Sequence, residues 1–368
     1  MARPESRAMP KSRAMIAVAA LSFAAAGIAP AAAADDPAAA AGAEPVAALI
    51  ARAPRATIER GGVRIELALP DPGLGFYRGT RFDWSGMILS LRLGQRAFHG
   101  PWFDAVAPGV RDYVDDGQRI VTGPQTNGTG PAEEFVGAAP VFTPGYGEAE
   151  PGGTFIKIGV GRLLRADDRP YNRFNSYAVV DNGAWQVTRG AGKITFVHYL
   201  PLAADGYAYR YEKTVAILPG GEVLVDHRLS NTGRKPIVSQ VYSHNFMRFG
   251  DYRVDPATTV TSPLLRGQTP KDPALAKVEG ESLTFHRALG RGESVSFPTP
   301  GSAPINTAPV FTVRQSGGGS ISGYSDSPIA RALFWSIRTV TAVEPYVAID
   351  VAPGAEQHWA WRYRYSAR

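Results

Sequence analysis

The sequence predicts an all-β protein built as one large antiparallel β-supersandwich. Gly and Pro number 40 and 30 among the 368 residues, which is typical of a chain with many turns. Several runs alternate apolar with polar residues, the period of a half-buried strand. No stretch of 12 residues after residue 60 has the period of a helix. Strands that are not interleaved with crossover helices favour antiparallel sheets over a parallel one.

The alternation begins at Val63 and recurs along the chain. The runs are Val63, Ile65, Leu67 and Leu69; Ile156, Ile158 and Val160; Tyr207, Tyr209 and Tyr211 continuing to Ile217; Val223, Val225 and Leu229; and Trp359, Trp361, Tyr363 and Tyr365. In the last run the opposite face would carry His358, Ala360, Arg362 and Arg364. Turn residues separate the runs, as in Pro219-Gly220-Gly221 and Asn231-Thr232-Gly233.

Residues 1–34 have the pattern of a secretory signal peptide. A basic segment precedes a short apolar stretch from Ala14 to Pro30, and three alanines then precede Asp35. The apolar stretch is shorter and less hydrophobic than a membrane span. We therefore expect cleavage near Asp35 and a periplasmic or secreted bacterial protein with no membrane span. Residues 35–56 predict an Ala-rich linker or strap with a helical turn or two within 46–53, and residues 57–368 predict the supersandwich domain.

The composition excludes several functional classes. Cys is absent, which rules out disulfides, thiol nucleophiles, thiolate metal sites and iron–sulfur clusters. Of the net charge of +6, residues 1–34 contribute four cations and Glu5, which leaves +3 and little electrostatic reason to expect a nucleic acid partner. The six His have no metal-ligand spacing, so we expect no metal and no cofactor. Asp167-Asp168 before Arg169-Pro170 indicates a solvated turn more than a calcium site.

Two neighbouring segments are dense in aromatic, Arg and Asp residues. They are residues 75–88, with Arg81 and Asp83, and residues 98–104, with His99 and Trp102. Aromatic rings stack on the apolar faces of pyranose rings, and Arg, Asp and His bind hydroxyls, so this mixture suits a sugar cleft. The alternative is a sheet edge whose aromatics are core and whose Arg81 and Asp83 pair with each other.

Two further segments each place one titratable residue in a strand-like context. His244 lies in Tyr242-Ser243-His244-Asn245-Phe246, where the base rate favours a structural histidine. Glu344 stands directly before Pro345 in an apolar run. Glu is seldom buried without a partner, and Pro345 both extends the backbone of Glu344 and removes a ladder donor. Glu344 therefore suits a carboxylate presented at a strand end or a cleft.

These two segments resemble a known family. The Tyr242–Phe246 segment resembles the His-bearing strand of the galactose mutarotase-like (aldose 1-epimerase) superfamily, and Val343-Glu344-Pro345-Tyr346 resembles its Glu-Pro strand. Residues 351–356 look like its closing turn, and Tyr77 to Ile88 look like its early sheet strands. The resemblance extends over roughly residues 60–366 and is best with exported bacterial members.

The resemblance implies acid/base interconversion of sugar anomers without metal or cofactor. The anomeric hydroxyl loses a proton, the ring oxygen gains one, and the opened ring recloses as the other anomer. Glu344 would be the base and His244, as imidazolium, the acid, with mutual attraction favouring the charged pair. Arg81, His99 and Asn245 would orient hydroxyls, and a free sugar or oligosaccharide would be the partner.

Two alternatives remain open on the sequence. One is a carbohydrate-binding protein on the same fold without turnover. The other is a glycosidase or polysaccharide-degrading enzyme, because fold does not fix function. A glycosidase needs two carboxylates across a cleft, and Glu134 or Asp83 could accompany Glu344.

Overall fold

The fold is all-β, as the sequence predicts. The computed structural model describes residues 40–137, 142–302 and 308–368. The predicted signal peptide and residues 35–39 of the predicted linker lie outside the described residues. Within the described part, helix α1 spans Val46–Arg52, inside the region predicted to form a helical turn or two, and a 3₁₀ turn spans Pro263–Leu265. In that same part no helix has the length and apolarity needed to cross a bilayer.

All other regular elements of the described residues are strands. In chain order they are β1 (Glu44–Pro45), β2 (Arg55–Arg60), β3 (Val63–Ala68), β4 (Ile88–Leu93), β5 (Arg96–His99), β6 (Ala105–Val106), β7 (Tyr113–Asp115), β8 (Ile120–Thr122), β9 (Ala132–Phe135), β10 (Thr154–Lys157), β11 (Gly161–Leu164), β12 (Val179–Asp181), β13 (Ala184–Gly190), β14 (Lys193–Leu200), β15 (Tyr209–Ile217), β16 (Val223–Asn231), β17 (Ile237–His244), β18 (Thr258–Thr261), β19 (Ala276–Glu279), β20 (Ser282–Phe285), β21 (Val295–Ser302), β22 (Phe311–Gln315), β23 (Gly319–Ser325), β24 (Ile329–Ile337), β25 (Val340–Val351) and β26 (Glu356–Ser366).

Two large antiparallel sheets form the sandwich. The larger has the order β13-β14-β15-β16-β26-β23-β22-β18-β20-β19, and the smaller has the order β21-β24-β25-β17-β9. Phe135 of β9 meets Tyr211 of β15 and Trp359 of β26 edge-on, with ring centroids 5.4 and 6.0 Å apart. The main core therefore lies between these two sheets. Smaller sheets β2-β3-β4-β5, β1-β6-β8-β7 and β10-β11-β12 flank them, and the pair β6–β8 is parallel.

The last strand has the predicted two faces. Trp359, Trp361 and Tyr363 are buried, and Tyr365 is partly buried. His358 and Arg364, one residue out of phase, are exposed. Because β26 pairs with β16 on one side and β23 on the other, it occupies the middle of the larger sheet. Its aromatic face supplies core volume.

Two segments depart from the sequence interpretation. Strands begin before Val63, with the short β1 and with β2 from Arg55. In the charged strand β2, Ala56 and Ile58 are buried while the other residues face solvent. Residues 75–87, which look like sheet strands in the sequence, are irregular. A Cβ on Gly79 would lie 2.4 Å from the Pro124 carbonyl oxygen, so the chain passes there at a distance that only glycine allows. Irregular backbone lets this segment lie across the smaller sheet.

Candidate functional site

The smaller sheet brings His244 and Glu344 together through strand register. Strands β17 and β25 are antiparallel, and Tyr242 pairs with Tyr346. Two residues further along the same register, His244 stands opposite Glu344. Pro345, opposite Ser243 in that register, has no N–H to donate to the ladder. Directly opposed residues project to the same face, so the histidine and the carboxylate meet although 100 positions separate them in sequence.

Two rungs of side chains make up this face of the sheet. One rung runs across four strands as Glu134, Tyr242, Tyr346 and Arg331. Tyr242 and Tyr346 stack with centroids 4.5 Å apart, and the Arg331 guanidinium lies 3.4 Å from the centroid of Tyr346. The next rung on this face holds His244 opposite Ala132 on one side and Glu344 opposite Leu333 on the other.

The His244–Glu344 pair is in contact and nearly closed to solvent. His244 Nε2 lies 3.2 Å from Glu344 Oε1, and the side chains are 7% and 2% exposed. Phe246 stacks on the imidazole with centroids 3.6 Å apart, which holds the ring plane. His244 Nδ1 is buried without a hydrogen-bond partner among the described residues. A buried nitrogen in that state is costly unless a ligand meets it.

Burial favours the neutral forms of Glu344 and His244, whereas the sequence analysis expects a charged pair. It raises the pKa of Glu344 to about 7, although Arg81 and Arg173 act to lower it. Burial also lowers the pKa of His244 well below its ordinary value, and the positive charge of Arg81 adds to that. Burial therefore disfavours the expected imidazolium–carboxylate pair in the free protein. Desolvation outweighs mutual attraction, so below about pH 7 the main form of the pair is a carboxylic acid beside a neutral imidazole.

Beside this pair lies a group that we call the cationic cage, formed by Arg81, Lys157 and Arg173 around Glu134. Glu134 Oε2 accepts a hydrogen bond of 2.8 Å from Arg81 Nε and lies 3.3 Å from Arg173 Nη1, while Oε1 lies 3.5 Å from Lys157 Nζ. Tyr242 joins the cage, because its hydroxyl donates to Glu134 and accepts from Arg81 at 3.0 Å.

The cage cations hold the pKa of Glu134 well below its usual value. Burial acts to raise that pKa, but Arg173, Arg81 and Lys157 together outweigh it. Burial lowers the pKa of Lys157 to about 8, although Glu134 acts to raise it. Glu134 is thus a permanent anion, and its hydrogen bonds position the guanidinium of Arg81 rather than offer a proton.

An irregular segment of residues 165–178, between β11 and β12, covers the cage. Its Arg173 donates to the Tyr242 hydroxyl at 3.2 Å. Its Phe174 lies over the guanidinium of Arg81, 5.1 Å from carbon to ring centroid, while Phe82 lies 4.5 Å away. Arg81 is therefore held between two aromatic rings, which fixes its position.

A second buried charge group, which we call the inner cluster, lies on the other face of β9. Successive side chains of a strand project to opposite faces. The side chain of Glu133 therefore points away from that of Glu134, into the space between the two large sheets. There it forms an ion pair with Lys213, and its Oε1 lies 3.4 Å from His227 Nε2. Asp83 lies 3.6 Å from Lys213 Nζ. Burial acts to raise the pKa of Glu133, but Lys213 holds it below its usual value.

The structure brings only part of the predicted site together. Arg81 lies in the cage beside His244 and Glu344, but it pairs with Glu134 rather than Asp83, so the alternative Arg81–Asp83 pair is wrong. Asp83 belongs to the inner cluster and accepts from the Tyr211 hydroxyl at 3.1 Å.

The remaining predicted residues contact other groups. Asn245 also turns to the inner face, where it accepts from the Tyr363 hydroxyl at 2.8 Å. His99 donates from Nδ1 to the Phe246 carbonyl oxygen, 2.8 Å away, since a carbonyl can only accept. Trp102 stacks on Phe246 with centroids 5.5 Å apart, one ring removed from His244. Substrate contact by these residues and by Asp83 stays a prediction.

Sequence reasoning missed Lys157, Arg173, Tyr242 and Tyr346 as members of this site. One signal was available, since Glu133-Glu134 is an acidic doublet in a short strand that is otherwise apolar. Such a doublet sends one carboxylate to each face and predicts two buried partners. Arg173 carries no comparable signal, because it reaches the cage from an irregular segment.

The proposed turn at Asp167-Asp168 is a local ion pair in the structure. Asp167 accepts from Arg169 Nε at 2.8 Å. No group of three or more His, Asp or Glu that could hold a metal ion occurs in the described ranges.

The known proteins to which this chain is similar are solved structures, and the similarity lies in the fold. No family model matches the sequence, and no curated protein matches it. Among solved structures, a galactose mutarotase related enzyme from Lactobacillus acidophilus is similar at 10% identity and a TM-score of 0.48, covering 85% of this chain and 97% of that one. A galactose mutarotase-like protein from Clostridium acetobutylicum is similar at 10% identity and 0.48, covering 84% and 94%. Another, from Lactobacillus casei, is similar at 15% identity and 0.45, covering 85% and 100%. The solved structures to which this chain is similar thus include galactose mutarotase-like proteins, the family that its His and Glu-Pro strands resemble.

Proposed function

We propose that this protein interconverts the anomers of a free sugar by acid/base ring opening, as an aldose 1-epimerase does. The observation that carries the proposal is the contact of 3.2 Å between His244 Nε2 and Glu344 Oε1 on one face of the sheet. A one-base, one-acid reaction needs two such groups within reach of one substrate. The burial they share raises the pKa of the carboxyl group and lowers that of the imidazole, so one can act as an acid and the other as a base.

The protonation of the pair assigns the roles. Neutral His244 takes the proton of the anomeric hydroxyl, and Glu344, as carboxylic acid, gives its proton to the ring oxygen while the ring carbon–oxygen bond breaks. The products are the open-chain aldehyde and an imidazolium–carboxylate pair. After rotation about the first carbon–carbon bond, reclosure returns both protons. Proton count and charge balance in each direction, and the charged pair exists only while the ring is open.

The test is exchange NMR of the purified protein with a panel of free aldoses and oligosaccharides. Cross-peaks between anomers above the spontaneous rate support the proposal. Bound sugar without exchange would instead support a carbohydrate-binding protein. New reducing ends from an oligosaccharide would support a glycosidase, for which Glu134 is poorly suited because three cations and Tyr242 surround it.

We also propose that the protein is exported and acts in the periplasm or outside the cell. The support is the basic, apolar and small-residue succession of residues 1–34. N-terminal sequencing of protein from a cell fractionation should find a mature chain beginning near Asp35. Soluble cytoplasmic protein with Met1 intact would contradict this proposal.

A further inference from the structure

The candidate site holds more positive charge than its own carboxylates offset. Within the cationic cage, Arg81, Lys157 and Arg173 converge on the single carboxylate Glu134. The exposed fractions of these side chains are 7%, 0%, 13% and 0%, respectively. Charges that water does not reach are costly unless a counter-charge meets them. Glu134 alone offsets only part of that cost for three cations.

The charged residues around the cationic cage do not offset its excess positive charge. Asp112 is a second carboxylate, which interacts with Arg81, Arg173 and Arg111. Against it stand two further cations: Arg111, 6.0 Å from the Phe174 ring, and Arg331 over Tyr346. Glu344 adds only part of a negative charge at neutral pH, because burial raises its pKa to about 7. Counted over the described residues, cations outnumber ionised carboxylates around the His244–Glu344 pair.

The partners of these cations also leave capacity for a ligand. Among the described residues, Arg173 donates one hydrogen bond, from Nη1 to Tyr242, whereas a guanidinium has five N–H donors. His244 Nδ1, beside the cage, is buried without a partner. A planar guanidinium fork is the group that recognises carboxylates in two-point fashion.

We propose that the preferred substrate of this site is a sugar acid, an aldose that carries a carboxylate, as in a hexuronate. This inference rests on the proposed epimerase function and names its substrate class. The carboxylate offsets the surplus charge of the cage and binds Arg173, while the anomeric centre lies at His244 and Glu344. A carboxylate adds one oxygen atom to the hydroxymethyl group it replaces. A phosphate ester adds four heavy atoms, and the site is nearly closed, with Phe174 over Arg81.

The experiment compares four sugars of one configuration on the wild-type protein by exchange NMR, each corrected for its spontaneous rate. They are galactose, galacturonate, galacturonamide and galactose 6-phosphate, and a parallel glucose series covers the other common configuration. The amide has the shape of the acid without its charge. We expect kcat/KM for the uronate to exceed that for the aldose and the amide by roughly tenfold or more, because charge-assisted hydrogen bonds are the stronger ones.

A variant tests whether Arg173 is the source of the preference for the uronate over the aldose. Arg173→Gln removes the charge, and we expect the uronate-to-aldose ratio to fall toward one, mainly through KM. Arg287→Gln is the matched control, since Arg287 is an exposed cation paired with Glu293 away from the site and its loss changes the net charge equally. The ratio should stay at the wild-type value in this control.

Each contrary outcome overturns either the sugar-acid inference or the proposed epimerase function. Equal kcat/KM for uronate, amide and aldose, or a preference that survives Arg173→Gln, overturns the sugar-acid inference while the epimerase function stands. Preference for the 6-phosphate overturns the carboxylate as the recognised group. Exchange of none of the sugars overturns the proposed function itself.

Discussion

His244 and Glu344 take their chemical character from burial rather than from each other. Two side chains at 3.2 Å could share a salt bridge, yet removal from water disfavours both charges, and nearby Arg81 further disfavours the imidazolium. The neutral form of the pair therefore predominates below about pH 7, and it becomes charged when a substrate exchanges protons with it. Contact with Phe246 keeps the imidazole in the plane this exchange requires.

Substitution of the pair should abolish exchange and leave the fold intact. We expect Glu344→Gln and His244→Gln each to slow anomer exchange by at least roughly 100-fold, because an amide neither gives nor takes the proton. Exchange NMR measures the rates, and Glu356→Gln and His286→Gln, both at exposed positions, are the controls. Parent-like exchange in Glu344→Gln would show that another group is the acid.

The pH profile should report the same assignment. The active form has Glu344 protonated and His244 neutral, so kcat/KM should fall as pH rises through about 7. It should also fall at acid pH, below the usual range of histidine, where the imidazole takes a proton. A profile measured from pH 4 to 9 that rises through pH 7 would contradict these roles.

Glu344→Gln should also make the protein more stable at alkaline pH. The folded-state pKa of Glu344 is about 7, above the ordinary 4.5, so its contribution is present below 4.5 and is lost as pH rises through 7. At pH 8 we expect the variant to be more stable by about 3 kcal/mol, and near pH 4 we expect equality. Guanidinium unfolding at both pH values measures this difference. A variant that is less stable at pH 8 would show that the carboxylate is not strained by burial.

At the scale of elements, strand β26 carries much of the core between the large sheets. Trp361 is 1% exposed and pairs across to Val225 and Ser325 in the neighbouring strands. We expect Trp361→Ala to lower the free energy of unfolding by about 3–5 kcal/mol. Arg364→Ala, on the exposed face of the same strand, should change it little. Denaturant unfolding of both variants gives the comparison, and a loss below about 0.5 kcal/mol for Trp361→Ala would place this face outside the core.

The elements also mark where sequence reasoning succeeds and where it stops. A period of two is local, so the faces of β26 could be predicted without any partner strand. The strand-borne His244 and Glu344 could be singled out, because each is a titratable residue in a strand-like run that resembles a strand of a known family. The cage could not be predicted, because Arg173 reaches it from an irregular segment and no local pattern specifies where such a segment lies. Asp83 and Asn245 were grouped with the site because they neighbour Arg81 and His244 in sequence, but both side chains turn to the inner face of the sheet.

For the whole molecule, buried histidines predict sensitivity to acid. Burial lowers the pKa of His99 and of His198 to about 4. The unfolded chain therefore binds protons at these positions below about pH 6.5 while the folded chain does not, and stability falls as pH drops from about 6.5 toward 4. Glu344 acts in the opposite sense, because its folded-state pKa is raised.

A variant isolates one histidine's share of this acid sensitivity. We expect His99→Gln to lose stability more slowly than the wild type below pH 6.5, by about 1.4 kcal/mol per pH unit. Gln can still donate to the Phe246 carbonyl oxygen that His99 uses. The exposed His286→Gln should follow the wild type. Unfolding midpoints at pH 7.5, 6.5, 5.5 and 4.5 measure both slopes, and parallel slopes for His99→Gln and wild type would contradict the account.

Strand β9 couples the evolution of the inner cluster on one of its faces to that of the cationic cage on the other. Glu133 and Glu134 are consecutive, so any backbone shift that moves one carboxylate against Lys213 moves the other against Arg81 and Arg173. Substitutions in the core between the sheets should then be epistatic with substitutions in the cage, although the side chains concerned do not touch. Divergent relatives can change the charge on one side of β9 only along mutational paths that accommodate the other side.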